Sequence, residues 1–293
     1  MSTEVFKKTE HYVPTSYLKF FGNKKTNTYF TFCYFKNTNT IKEIDIKKIC
    51  AVNDLYELKL DDEYVERNVI ENGFVRIEGE YSDIINSILS RINNQGEIVL
   101  RTEEVYVLKT FIYLLLFRSK KFVEDAAKRG LETAKSLNLA NGELRNIFDD
   151  VDDETFMAEY LPCFEEEIGY RSAHQFLKMC LDVNAPNPLH RLVIDRLGLY
   201  YCFLYDKTGS FITSDFPVVD MYNESADPCE EYDILCMPIS PNACIVLFDE
   251  DEKFNQKVIE LNEAQVRYIN NYRIVLQHDY VLSNDMKKLE NLI

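Results

Sequence analysis

Four groups of residues carry side chains whose type and setting suit chemistry. The first is His11 in His11-Tyr12-Val13-Pro14. The proline ring fixes its own φ, holds Val13 extended and suits the first turn of a helix, so His11 is expected at the end of an extended segment beside a helix entrance. An imidazole there can serve as a general acid or base, or hydrogen-bond a backbone carbonyl. The second is Phe211-Ile212-Thr213-Ser214-Asp215-Phe216-Pro217-Val218. A strand is expected to end in Thr-Ser-Asp, where the Asp215 carboxylate can orient an imidazole or bind a metal ion, or where Ser214 and Asp215 simply close a turn. The third is Arg118, directly after the apolar run Phe111 to Phe117. It must either reach outward to water or face inward on a carboxylate or phosphate, which a guanidinium grips through two parallel donors. The fourth is the pair Asn270-Asn271 inside a helical stretch, where asparagine is a poor helix former and needs a hydrogen-bonding task or full exposure.

The familiar signatures of phosphate loops, nucleophile elbows, helical zinc sites and EF-hands are missing. Asp149-Asp150-Val151-Asp152-Asp153 matches a calcium loop in charge alone and lacks its glycine, so it reads as a solvated run. No metal ligand is assigned; the cofactor is left unknown, with a divalent metal ion compatible with the acid at 215.

Charge narrows the partners. The net charge is −16, which argues against broad binding to nucleic acid or to anionic membranes. It is unevenly spread: residues 1–50 hold nine Lys against Glu4, Glu10, Glu43 and Asp45, a balance of +5 in an acidic chain. That local excess, around His11, suits a phosphate-bearing ligand; lysines guarding a solvated strand edge would read the same way. The eight cysteines follow no metal-binding or disulfide spacing and read as reduced core thiols. With no secretion signal and no apolar run of membrane-spanning length, a cytoplasmic protein is expected.

The elements that must position these residues follow from periodicity. Thr28 to Phe35 alternates aromatic and polar residues, and Ile41 to Ile46 returns after Asn37-Thr38-Asn39-Thr40, which predicts a hairpin. From Tyr81 the period becomes helical through Ile84, Ile85, Ile88 and Ile92. A second helix starts at Thr102 and is expected to run past Lys120; others are expected over 126–137, 172–183 and 188–197. Short strands return at 199–205, 211–213, 235–237 and 243–247, with Asp206-Lys207-Thr208-Gly209 as a hairpin turn, and helices at 263–278 and 285–293 close the chain. The acidic stretch Asp149 to Glu167, without Lys or Arg, is the candidate mobile connection. Strands, a helical middle, then strands again predict an α+β fold. Its antiparallel sheet would be built from the N-terminal hairpin and the C-terminal strands, in one domain over 1–293 with a helical insertion at 80–197.

Read together, these pieces resemble a bacterial family, domain-of-unknown-function 4238. The resemblance rests on His11-Tyr12-Val13-Pro14-x-x-Tyr17-Leu18, Arg76-Ile77-Glu78, Phe111-Ile112-x-Leu114-x-x-Phe117-Arg118, Phe211-Ile212-Thr213-Ser214-Asp215-x-Pro217-Val218, Met237-Pro238-Ile239-Ser240-Pro241, Ile269-Asn270 and Val281-Leu282-Ser283. The chain departs from the family where Ser119-Lys120 replaces Thr-Pro and where Glu10 stands in place of a second histidine. The resemblance implies no mechanism. It does imply that His11, Glu78, Arg118, Asp215 and Asn270 share one cleft.

Two functions are expected. One is a nuclease or nucleotide hydrolase in a defence or toxin role, with His11, Asp215 and Arg118 catalytic and Tyr12, Glu78, Ser214 and Asn270 binding substrate. The other is a non-catalytic acidic interaction protein, an inhibitor, immunity or accessory subunit, that binds a basic protein partner. The oligomeric state is left open.

Overall fold

The computed structural model describes residues 9–60, 63–65, 68–125, 200–221, 234–249, 251–276 and 279–291, with isolated helical positions between 128 and 181. The helices expected near 126–137, 172–183 and 188–197 fall largely outside these residues, and the acidic stretch 149–167 falls wholly outside them.

The fold is α+β, and the described residues include two five-stranded sheets. The first is built on the aromatic strand β3 (Thr28–Phe35), whose run of β-branched and ring side chains fits a pleated, half-buried surface. Along one edge β3 pairs antiparallel with β4 (Thr40–Asp45); along the other it pairs antiparallel with β2 (Asn23–Lys25) near its start and with β14 (Tyr280–Ser283) near its end, and β14 pairs in turn with β9 (Thr213–Ser214). The N-terminal hairpin and C-terminal strands thus share this sheet.

The second sheet has the order β10 (Val219–Asp220), β11 (Ile234–Ser240), β12 (Ala243–Phe248), β8 (Tyr200–Tyr205), β13 (Val258–Glu260). All its pairings are antiparallel except β8 with β13, which is parallel. A small ribbon pairs β1 (Thr9–His11) with β5 (Ala51–Asn53), and another pairs β6 (Leu58–Leu60) with β7 (Glu63–Val65).

Three expectations need correction. The turn at 206–209 forms: the Asp206 carboxylate accepts from Thr208 N at 2.9 Å and Ser210 N at 2.6 Å, and Gly209 adopts φ +66. It does not close a hairpin, because β8 pairs with β12 and β13 while β9 joins the other sheet. The first long helix, α2 (Val69–Arg91), starts twelve residues before Tyr81. Two glycines mask its first turns, and at Gly73 a β-carbon would meet the Leu181 side chain at 2.9 Å. The second, α3 (Thr102–Phe117), stops at Phe117; Arg118 is its C-cap, and a new helix starts at Lys120. Ser119 separates the two. Its Oγ accepts from Phe122 N at 3.1 Å and donates to the Leu116 carbonyl at 2.8 Å, so a single hydroxyl caps the new helix and terminates the old one.

The remaining elements are the short α1 (Thr15–Leu18), which starts after Pro14 as expected, α4 (Glu263–Leu276), and α5 (Met286–Glu290), capped by Asp285 through Lys287 N at 3.0 Å. Cys33, Cys50, Cys202, Cys236 and Cys244 are buried and free.

Tyr17 joins the two sheets. It is fully buried; its hydroxyl lies 2.7 Å from Thr213 Oγ1 on β9 and donates to the Pro238 carbonyl on β11 at 2.7 Å. A buried acceptor stripped of its donor costs about 1–3 kcal/mol. Tyr17→Phe removes the donor to Pro238 while preserving the ring's packing. It is expected to lower the unfolding free energy by about that amount, read as a lower denaturant midpoint at unchanged slope.

Candidate functional site

The site is organised by one buried cation. Arg118 is 1% exposed. Its Nη1 donates to Glu78 Oε1 at 2.7 Å, Glu71 Oε2 lies 3.9 Å from Nη2, and Nη2 donates to the backbone carbonyl of His11. The guanidinium also lies over the Phe74 ring, 4.0 Å from its centroid. Glu71, Phe74 and Glu78 stand three and four residues apart on α2, which brings all three to one helix face. Of the two fates open to Arg118, the structure takes the inward one, and the group it grips is a carboxylate of its own chain.

The clamp reaches further. Glu78 Oε2 accepts from Ser16 Oγ at 3.0 Å, tying α2 to the first helix. The Arg118 carbonyl accepts from the Tyr56 hydroxyl at 2.6 Å, and Tyr56 N donates to Glu10 Oε2 at 2.7 Å. Glu10 is fully buried and holds the loop after β5 against β1.

His11 itself lies at the end of β1, as expected, and its Nε2 is 3.2 Å from the Lys47 carbonyl. In that contact the carbonyl can only accept, so Nε2 carries a proton. The next residue, Tyr12, is 4% exposed, and its amide donates to the Cys50 carbonyl at 3.0 Å. Burial, then the Cys50 thiol and Asp215, push its phenol well up, so it remains neutral.

At the strand end, Ser214 Oγ accepts from Phe216 N at 3.2 Å and donates to the Phe216 carbonyl at 2.8 Å, a closed local turn. Asp215 is 5% exposed and accepts from Asp279 N at 2.9 Å through Oδ2. Asn270 is buried and spans the turn that precedes the motif: Oδ1 accepts from Ile212 N at 3.3 Å and Nδ2 donates to the Ser210 carbonyl at 2.9 Å. Asn271 is exposed.

A cleft of about 360 Å³ opens where these segments meet. Tyr12 and Ser119 come to it from beside the clamp, Asp215 and Phe216 from the strand end, and Asp279 from the start of β14. Lys120, Lys121 and Glu124 come from the new helix. Of the residues singled out from sequence, Tyr12 and Asp215 line this cleft. Arg118 and Glu78 form the clamp behind it and share a narrower crevice of their own. Ser214 and Asn270 hold the strand end. Among the described residues no group of three or more His, Cys, Asp or Glu is arranged to hold a metal ion.

Ser119 and Lys120 stood out in sequence only as a departure from the family pattern; Lys121 and Asp279 on the cleft wall, and Arg273 behind it, did not stand out. Arg273, 1% exposed, donates to the Pro217 and Cys236 carbonyls and so braces the Thr-Ser-Asp-x-Pro turn against β11. Its signal was present: Val266, Ile269, Asn270 and Arg273 repeat at helical spacing, so an inward Asn270 carries Arg273 with it.

The architecture defines an α+β protein with a cleft beside a buried arginine that is matched by carboxylates of its own chain. The chain belongs to the DUF4238 family (protein of unknown function), whose profile matches residues 10–287. No curated protein and no solved structure matches it.

The clamp predicts a graded response. Arg118→Met leaves Glu71 and Glu78 without their cation and is expected to cost about 3–5 kcal/mol of stability. Glu78→Gln should cost less, since the Glu71 carboxylate and the His11 carbonyl still face the guanidinium. Chemical denaturation of both single variants and the double variant should show the double costing less than the two singles combined.

Proposed function

We propose that the cleft binds a phosphate-bearing ligand, and that the chain acts on it as a nuclease or nucleotide hydrolase. The observation that supports this is the pairing of chemistries in one concavity. Lys120 and Lys121, at the start of a helix, line the same cleft as the carboxylates of Asp215 and Asp279 and the Phe216 ring. Ammonium groups and a helix start favour an anion, and a mostly buried carboxylate opposite can take a proton from water or hold a divalent ion. The volume falls within the range of small-molecule sites and suits one nucleotide unit.

In this reading Asp215 is the reacting carboxylate, held by the Asp279 amide. The lysines take the phosphate charge, a task that Arg118 cannot perform while bound to Glu78. Arg118 and Glu78 are positioning residues that hold Tyr12 and Ser119 in the cleft wall. His11 is the general acid or base if its imidazole turns from the Lys47 carbonyl. Buried free thiols suit a reducing compartment, so the reading puts the protein in the cytoplasm.

A second reading, a non-catalytic subunit for a basic protein partner, is favoured by the net charge of −16 and by the internal use of Arg118 and Asn270.

Purified protein assayed on RNA, DNA and nucleotides, with and without magnesium or manganese, separates the two. Asp215→Asn is expected to lower turnover by about a hundredfold or more, and Lys121→Met to raise KM. His11→Ala keeps the carbonyl that takes Arg118, so a loss of turnover at unchanged Tm would assign chemistry to the imidazole. Absence of turnover in the wild type, or equal rates for Asp215→Asn, would overturn the hydrolase and leave the interaction reading.

A further inference from the structure

Behind the clamp two carboxyl groups meet in a way the cleft chemistry does not use. Glu10 is fully buried on β1, and Glu57 lies in the loop that follows β5. Each has one oxygen occupied by a backbone amide: Tyr56 N donates to Glu10 Oε2 at 2.7 Å, and Asn68 N donates to Glu57 Oε1 at 2.8 Å. The other oxygen of each, Oε1 of Glu10 and Oε2 of Glu57, is buried and meets no donor. Glu10 accepts from the amide of the residue directly before Glu57, which sets the two carboxyl groups beside each other. Two carboxylates cannot hydrogen-bond without a proton between them, and two bare charges held this close in a buried place repel strongly.

We infer that Glu10 keeps its proton and donates it to Glu57, and that this hydrogen bond fastens the loop carrying Tyr56 onto β1 beneath the Arg118 clamp. The surrounding charges fit the assignment. Glu71 of α2 adds a further negative group near Glu10, Tyr56 of the loop contributes its amide, and Arg118 of the helix end is already engaged by Glu78 and Glu71. Asp54 stands in the same loop. When the proton leaves, the loop is pushed from β1, and the Tyr56 hydroxyl leaves the Arg118 carbonyl, next to the cleft residue Ser119. The device is a pH-sensitive latch on the cleft wall, and it stands whether or not the cleft is catalytic.

The sign of the pH dependence follows. Burial pushes Glu10 up to about 8 against the pull of the Tyr56 amide, with Glu57 and Glu71 adding to the rise. Stability from the bound proton is full below the ordinary carboxyl range and is lost as pH rises through about 8.

A glutamine imitates the protonated acid, with its amide NH2 in place of the O–H. Thermal melts of the full chain should therefore show Glu10→Gln gaining on the wild type by about 5 °C in Tm between about pH 6 and about pH 9. Glu57→Gln should gain similarly, because its NH2 can donate to Glu10 Oε1. The double variant sets two NH2 groups against each other and should melt below either single one at about pH 6. A Tm difference that is flat with pH, or single effects that simply add, would overturn the proposal. Should the variants fail to fold, carbon-13 NMR of glutamate-labelled wild-type protein decides. One side-chain carboxyl titrating near pH 8 is expected, and a set that all titrates in the ordinary carboxylate range would overturn it.

Discussion

A guanidinium removed from water is tolerable only when its charge and donors are matched inside, and the placement of Arg118 governs much of what surrounds it. Glu78 and Glu71 supply the charge, the His11 carbonyl takes a donor, and Phe74 offers its ring face. Those partners come from α2 and β1, so one side chain at the end of α3 sets the relative positions of three segments distant in sequence. Tyr56 extends the set by bonding the Arg118 carbonyl, and Glu10 extends it by holding the Tyr56 amide. The residues after His11 and after Arg118, namely Tyr12 and Ser119, then have little choice but to face the cleft together.

Much of this was legible in the sequence where the deciding interaction is local. β3 announced itself because alternating rings and small polar residues tolerate little besides a half-buried strand, and its observed bounds are those expected. The turn at Asp206 was legible for the same reason, since Asp206 and Gly209 fix it by themselves. Sheet membership was not legible. β9 pairs with β14, nearly seventy residues away, and nothing within Phe211 to Pro217 states that preference. The start of α2 was hidden by Gly73, a poor helix residue retained because Leu181 packs where a side chain would stand. The end of α3 was hidden because no Gly or Pro marks it, and only the double hydrogen bonding of Ser119 shows where one helix stops and another begins.

For the site, residue choice was more legible than residue role. An arginine after seven apolar residues had to turn inward or escape, but the identity of its partners rested on Glu71 and Glu78 sharing a face of a helix whose first turns were not recognised. Asn270 gave its burial away by standing inside a helix, and its task proved to be backbone support for the turn before the Thr-Ser-Asp motif. Asp279 and the two lysines carried no sequence signal of a shared site, because exposed charges near a loop are ordinary; only the convergence of segments gives them a common cleft.

The division between buried and cleft-facing charges also bears on chemistry. A cation that must release one anion to accept another gains only the difference between them, so Arg118, matched by two carboxylates, is poorly suited to capture a phosphate. Lys120 has no such commitment: its 3.8 Å approach to Glu124 is between half-exposed groups, where an ion pair is worth little and is readily exchanged for a more highly charged ligand. The structure thus uses its strongly held cation for rigidity and leaves weakly held cations next to it, at the start of a helix fixed by the Ser119 cap. Rigid placement of loosely partnered charge is the condition under which a small cleft can bind an anion without first paying to rearrange itself.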